Sequence, residues 1–149
     1  MKKWLILLIV FFVVGCEEEK ITFPYRPVYL EVNLTYEDKE LLIPFTHKIF
    51  TKYKDLTIGL GGVILFHGID NGYGAYHAYD LACPYEEEAT TLLSVNESEL
   101  NAVCPKCNSS YELSLNGNGN PKNTHKKRLR SYNVQQVNTG VAQKLIIRN

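Results

Sequence analysis

Residues 28–34 read VYLEVNL, with Val28, Leu30, Val32 and Leu34 alternating with Tyr29, Glu31 and Asn33. A period of two lines the apolar side chains along one face of an extended strand, whereas a helix needs a period near 3.6. The runs KIFTKY (48–53) and GGVILFHG (61–68) are further strand candidates. NGYGAYHAYDLA (71–82) begins with Asn-Gly, a two-residue hairpin signal, and links the strand around Ile64 to one carrying Tyr76, Ala78 and Asp80. RLRSYNVQQVNTGVAQKLIIRN (128–149) predicts a final hairpin turning at Asn138-Thr139-Gly140. Residues 86–100 fit either one short helix or an irregular loop leading to a strand near Leu100 to Val103. NGNGNPKNTHKK (116–127) predicts a turn-rich loop, since Gly and Asn tolerate positive φ. No internal repeat and no long amphipathic helix is visible. The expectation is an all-β chain of antiparallel strands.

The N-terminus must be set apart from that fold. MKK is followed by WLILLIVFFVV, an apolar run of 11 residues, and then by VVGC. A charged, apolar, small-residue order is that of a secretory signal, and the apolar run falls short of the roughly 20 residues that span a bilayer. A small residue directly before cysteine resembles a bacterial lipoprotein signal. That resemblance implies residues 1–15 as signal peptide, with cleavage leaving Cys16 as the lipidated first residue. Residues 16–27 then form a tether and residues 28–149 the β domain. Acyl chains contribute about 0.8 kcal/mol per buried methylene, so a multiply acylated Cys16 would hold the domain on a membrane. EEEK (17–20) is a solvated linker or resembles the acidic signals that send some Gram-negative lipoproteins to the cell surface. The expected location is the cell envelope, on the outer membrane or cell surface in a Gram-negative bacterium.

Loss of Lys2 and Lys3 leaves 14 basic against 16 acidic residues. Such a balance provides no field for nucleic acid. The sequence also holds no phosphate loop, no nucleophile elbow and no pair of acids at catalytic spacing, so the chain is not expected to be an enzyme by itself. With Cys16 acylated, Cys83, Cys104 and Cys107 remain, an odd number in an oxidising compartment. Complete pairing within the chain is excluded. One disulfide plus a free thiol, a three-thiolate metal site, or three free thiols without a role all stay open. CPKC (104–107) is the C-x-x-C knuckle of structural zinc sites. A zinc ion there would take His77, Asp80 or one of Glu86–Glu88 as fourth ligand. A disulfide would join Cys104 to Cys107, or Cys83 to one of them. Pro84 and Pro105 each follow a cysteine, fixing φ near −65° and turning the loop so that neighbouring amides are exposed.

The spacing C-P-Y, eighteen residues, C-P-K-C resembles the two ligand loops of the Rieske domain. In that family C-x-H and C-x-x-H loops bind a two-iron, two-sulfur cluster, with two cysteines on one iron and two histidines on the other. Cys83 and Cys104 fall on the cysteine positions, Tyr85 on the first histidine position and Cys107 on the second. The likeness extends from about Gly59 to Val134. CNSSYEL resembles the family's His-Gly-Ser-x-aromatic run, with Ser109 and Tyr111 in register and Asn108 replacing glycine as a residue that accepts left-handed backbone. The GNP at 119–121 and LRSYNV resemble the family's Gly-x-Pro turn and exit strand.

The resemblance implies a small Rieske-like sandwich or barrel with a two-loop Cys-Pro subdomain at about residues 80–116. It also implies an altered 2Fe-2S cluster held by Cys83, Cys104, Cys107 and Tyr85, and one-electron transfer to a redox protein partner. A thiolate in place of imidazole adds negative charge and should lower the potential. A phenol with a pKa near 10 is a reluctant ligand. The competing expectation is a structural or interaction module that keeps the scaffold without a cluster, its loops stapled by zinc or a disulfide. A C-x-x-C thiol oxidoreductase is disfavoured, because such motifs sit at helix N-termini and CPKC lies in a β context. His47, His67, His77 and His125 are scattered, and His77 reads as a structural or surface residue. The basic run HKKRLR (125–130) is either a solvated loop or a face for an anionic redox partner or lipid headgroups.

Overall fold

Val63, Ile64, Leu65 and Phe66 are apolar at every position and all buried, so the strand that carries them has no solvent face. The computed structural model, which describes residues 24, 26–70, 74–114, 119–122 and 126–149, shows why. Strand β5 (Val63–His67) and its antiparallel neighbour β6 (Tyr76–Asp80) form a wall between two cores. Val63, Leu65, Tyr76 and Ala78 point into the first core, with Leu30, Val32, Leu145 and Ile147. Ile64, Phe66 and Tyr79 point into the second, with Cys83, Cys104, Tyr111, Leu113 and Leu129. The period of two thus distributes one strand between both cores.

The remaining strands are β1 (Tyr29–Asn33), β2 (His47–Phe50), β3 (Lys52–Tyr53), β4 (Leu56–Thr57), β7 (Ser94–Asn96), β8 (Asn101–Val103), β9 (Ser110–Glu112), β10 (Ser131–Asn138) and β11 (Gln143–Arg148). A six-stranded antiparallel sheet runs β1-β11-β10-β6-β5-β2. β3 and β4 form a small hairpin, and β7-β8-β9 a separate three-stranded antiparallel sheet. A 3₁₀ turn at Lys39–Leu42 is the one helical element among the described residues. The expected all-β architecture with a two-loop Cys-Pro subdomain is borne out.

Other expectations are met or refined. VYLEVNL alternates as predicted, with Val28, Leu30, Val32 and Leu34 buried. The final hairpin closes between Asn138 and Gln143, with Gly140 at φ +79°. Residues 86–100 contain no helix. They take the loop alternative, and β8 falls where a strand was expected, with β7 as an additional short strand. The β5–β6 connection is longer than the two-residue turn that Asn-Gly predicts, because the last paired residues are His67 and Tyr76. Asn71 and Gly72 lie outside the described residues, as do residues 1–23 with the leader and Cys16, and His125.

The register also fixes where the cysteine loops emerge. Tyr29 pairs Arg148, Arg148 pairs Asn133, and Ser131 pairs Tyr79, so Val28 and the end of β6 lie at one end of the sheet. Arg130 Nη1 donates to the Pro24 carbonyl at 3.4 Å at that same end. The chain therefore enters the domain beside the end from which Leu81, Ala82 and Cys83 leave.

Candidate metal centre

Asp80 ends β6 with its carboxylate buried, and it organises the approach to the first loop. It accepts hydrogen bonds from the backbone amides of Leu60 (2.7 Å), Gly61 (3.0 Å) and Ala82 (2.8 Å), and from the Tyr132 hydroxyl (2.6 Å). A buried carboxylate that accepts several donors is satisfied and rigid. Gly59 sits at φ +62°, and a Cβ there would lie 2.8 Å from Asp80 Oδ2, so only glycine fits beside this hub. Burial and the Asp80 charge both raise the Tyr132 phenol pKa well above its usual value, leaving the hydroxyl a donor.

Beyond Asp80 the two Cys-Pro loops share one backbone form. The Cys83 carbonyl accepts from Glu87 N (3.0 Å), and the Cys104 carbonyl accepts from Asn108 N (3.0 Å). Glu87 (φ +55°) and Asn108 (φ +57°) both adopt left-handed backbone, as expected for Asn108. The first loop is tied back by Cys83 N to the Thr91 carbonyl (3.0 Å), the second by Cys104 N to the Ser109 carbonyl (2.9 Å). CPKC thus lies in the β8–β9 connection, in keeping with the β context read from sequence.

The twin turns bring three sulfurs together. Cys83 and Cys104 are fully buried, Cys107 is half-buried, and their Sγ atoms all lie within 4.8 Å of one another. Cys83 Sγ is 3.7 Å from Cys107 Sγ, and all three are free thiols. Donors surround them. Cys107 Sγ lies 3.0 Å from Ser109 Oγ, and Cys83 Sγ lies 3.8 Å from the Tyr111 hydroxyl. The amides of Glu86 and Tyr85 are directed at Cys83 Sγ, as expected of amides exposed by a Cys-Pro turn.

These contacts separate the thiols electrostatically. Burial pushes the Cys83 thiol up to about 12 despite the hydrogen bonds from the Glu86 and Tyr85 amides. Burial also opposes ionisation of Cys107, but the Ser109 side chain and amide and the neighbouring thiols outweigh it and lower its pKa. Burial raises the Tyr111 phenol as well, and the nearby sulfurs reinforce that, so Tyr111 stays protonated and keeps a hydroxyl proton to share with Cys83 Sγ.

Among the described residues no His, Asp or Glu joins the three cysteines. His77 is on β6 with its ring against Gly68, buried in the structural role read for it. Asp80 is committed to its hub. Glu86 and Glu88 pair with Lys106 at 2.6 and 3.2 Å, and Glu87 pairs with Lys127 at 2.6 Å. The expected fourth zinc ligand is therefore found in none of them, because backbone amides and lysines have taken the carboxylates. Tyr85 is 48% exposed in the first loop. Ser109 and Tyr111 were legible as register matches, but their roles as donors to sulfur were not. The donor set fits a thiolate-bound metal: soft ligands, hydroxyl and amide donors beside the sulfurs, and an apolar cluster that buries Cys83 and Cys104.

No protein-family model matches the chain, and no curated protein matches it. Comparison with solved structures finds a crystal structure of a protein assigned as the NADH-dependent nitrite reductase small subunit of Mycobacterium tuberculosis. The two share 16% identity at a TM-score of 0.46, over 84% of this chain and 98% of that one.

Proposed function

We propose that the chain is a lipid-anchored protein of the cell envelope whose Rieske-like β domain holds a metal through Cys83, Cys104 and Cys107. With iron in that centre, it passes single electrons to a redox protein partner and performs no substrate chemistry of its own. The observation that carries this reading is the convergence of three sulfurs within 4.8 Å from two separate loops. Thiolate-bound iron, in the 2Fe-2S form or another, supplies the one-electron couple. The chain's own residues hold the sulfurs, donate hydrogen bonds to them and exclude water, and each of these tunes a potential. Tyr85 is the residue that register assigns to the remaining ligand position.

A second reading has its own support. Cys83 and Cys107 stand 3.7 Å apart across the two loops, close enough for a small movement to join them or for zinc to bridge them. The centre would then staple the loops of a binding module. Purified full-length chain, prepared anaerobically in detergent, separates these readings through iron, zinc and acid-labile sulfide per chain together with a thiol count. Iron supports the electron carrier, whereas zinc or a lost thiol pair without iron overturns it in favour of the staple. Anchoring through Cys16 is tested by fractionation: the chain stays with membranes, and Cys16→Ser removes its lipid label. Retention of that label in the variant would overturn the lipoprotein assignment.

A further inference from the structure

The sulfur geometry points to a single metal ion shared by Cys83, Cys104 and Cys107, rather than a two-iron cluster that divides them. This inference rests on the metal-centre reading above and narrows it. For metal–sulfur bonds of about 2.3 Å at tetrahedral angles, neighbouring sulfurs stand about 3.8 Å apart. Cys83 Sγ and Cys107 Sγ are separated by 3.7 Å, which is one edge of such a tetrahedron.

A dinuclear arrangement demands something else. By register, Cys83 and Cys104 would hold one iron, while Cys107 and Tyr85 would hold the other. Cys83 and Cys107 would then face each other along the cluster's long axis. Two metal–sulfur bonds of about 2.3 Å and the iron–iron spacing would lie between them. Every pair of sulfurs here lies within 4.8 Å, so no thiol stands off as a ligand for a second iron. The cysteine occupying a histidine position has moved over to its neighbours' side.

The surroundings hold it there. Cys107 Sγ contacts Ser109 Oγ at 3.0 Å, and the Cys104–Asn108 turn fixes the backbone on either side of it. Lys106, one residue earlier, is tied to Glu86 and Glu88 of the first loop, which closes the two loops toward each other. Three thiolates on one divalent ion leave a fourth position. Among the described residues no His, Asp or Glu joins the three cysteines, so the fourth position is left to an oxygen donor, with Tyr85 the candidate that register supplies and water the alternative. The ion this site takes is a thiophilic divalent metal of tetrahedral habit, such as iron or zinc.

Cobalt(II) reports the geometry directly through its ligand-field and sulfur charge-transfer bands. Full-length chain in detergent, stripped of metal and kept reduced, is titrated with cobalt(II). A parallel sample is supplied with ferrous iron and sulfide. One cobalt per chain is expected, with intense tetrahedral bands, and iron uptake without sulfide. Cys107→Ser is expected to weaken cobalt affinity at least tenfold while its circular dichroism stays that of a β protein. Two irons and two sulfides per chain would overturn the single-ion inference and leave the metal-centre reading standing. Uptake of neither metal by the folded wild-type chain would overturn both. Unchanged cobalt affinity in a folded Cys107→Ser variant would overturn the inference alone.

Discussion

Lys106, between the two cysteines of the second loop, places its Nζ 2.6 Å from Glu86 Oε2 in the first. Glu88 approaches the same ammonium at 3.2 Å. Lys106 is mostly solvated, so the pair adds little to global stability, but it bridges the two cysteine loops directly. Lys106→Met is therefore expected to loosen the loops locally. Hydrogen exchange should speed several-fold at the Glu87 and Asn108 amides, which close the two turns, and stay unchanged across β10 and β11. Equal exchange at both turns in variant and wild type would show that the ion pair does not hold the loops.

The Asp80 hub predicts a larger, global effect. Three backbone amides and the Tyr132 hydroxyl converge on one buried carboxylate. Leaving such donors without an acceptor costs about 1–3 kcal/mol apiece, less what relaxation and water recover. Asp80→Ala should destabilise the domain by about 3 kcal/mol or more, and Tyr132→Phe by about 1–2 kcal/mol, in urea unfolding. The two effects should be non-additive, since the second substitution removes a partner already lost. Additive losses would show that the hydroxyl and carboxylate act independently.

Much of this architecture was legible in the sequence because strand alternation and Cys-Pro turns are local signals. Asn108 announced its left-handed backbone through residue type. Its counterpart Glu87 did not, since glutamate has no such preference and the φ of +55° is imposed by the Glu87 N to Cys83 carbonyl bond. The destinations of Asp80 and Glu86–Glu88 were equally hidden. Each carboxylate suits a metal, and only the three-dimensional placement of Leu60, Gly61, Ala82 and Lys106 shows that other partners have claimed most of them. The length of the β5–β6 loop escaped for the same reason: Asn-Gly marks a turn, but register with Phe66 and His67 decides where pairing stops.

Substituting glycine at position 108 follows from that backbone. A non-glycine residue in the left-handed region costs roughly 1–2 kcal/mol, less for asparagine. Asn108→Gly should therefore leave stability within about 0.5 kcal/mol, whereas a β-branched Asn108→Val should lose about 1–2 kcal/mol. Equal denaturation midpoints for the two variants would mean that the turn relaxes to negative φ.

His77 carries a pH dependence with a definite sign. Its ring is buried with Nε2 lacking a hydrogen-bond partner. Burial lowers its pKa from the usual 6.5, Asp70 opposes that, and His67 adds to it. The unfolded chain therefore binds the proton more readily than the folded one. The contribution of neutral His77 is fully present above the unfolded value and is lost as pH falls below about 6.5, levelling off beneath the folded pKa. Urea unfolding at pH 7.5 and 5.5 should show a smaller loss in His77→Phe than in wild type. Equal losses would place the acid sensitivity elsewhere.

The thiols themselves should react in a fixed order. Only the thiolate attacks an alkylating reagent, so reactivity follows ionisation and access. Cys107 is half-buried and its pKa is lowered on balance by Ser109 and the neighbouring thiols, whereas Cys83 is fully buried and pushed up to about 12. In metal-free, reduced chain at neutral pH, iodoacetamide should modify Cys107 first and leave Cys83 untouched until the domain unfolds. Ser109→Ala removes the 3.0 Å contact and should slow labelling of Cys107 several-fold, shifting its pH profile upward. Bound metal should protect all three cysteines, and a chelator should restore the same order. Peptide mass spectrometry reads each site separately. Cys83 labelling at the rate of Cys107 in the folded chain would show that burial does not set these thiols apart.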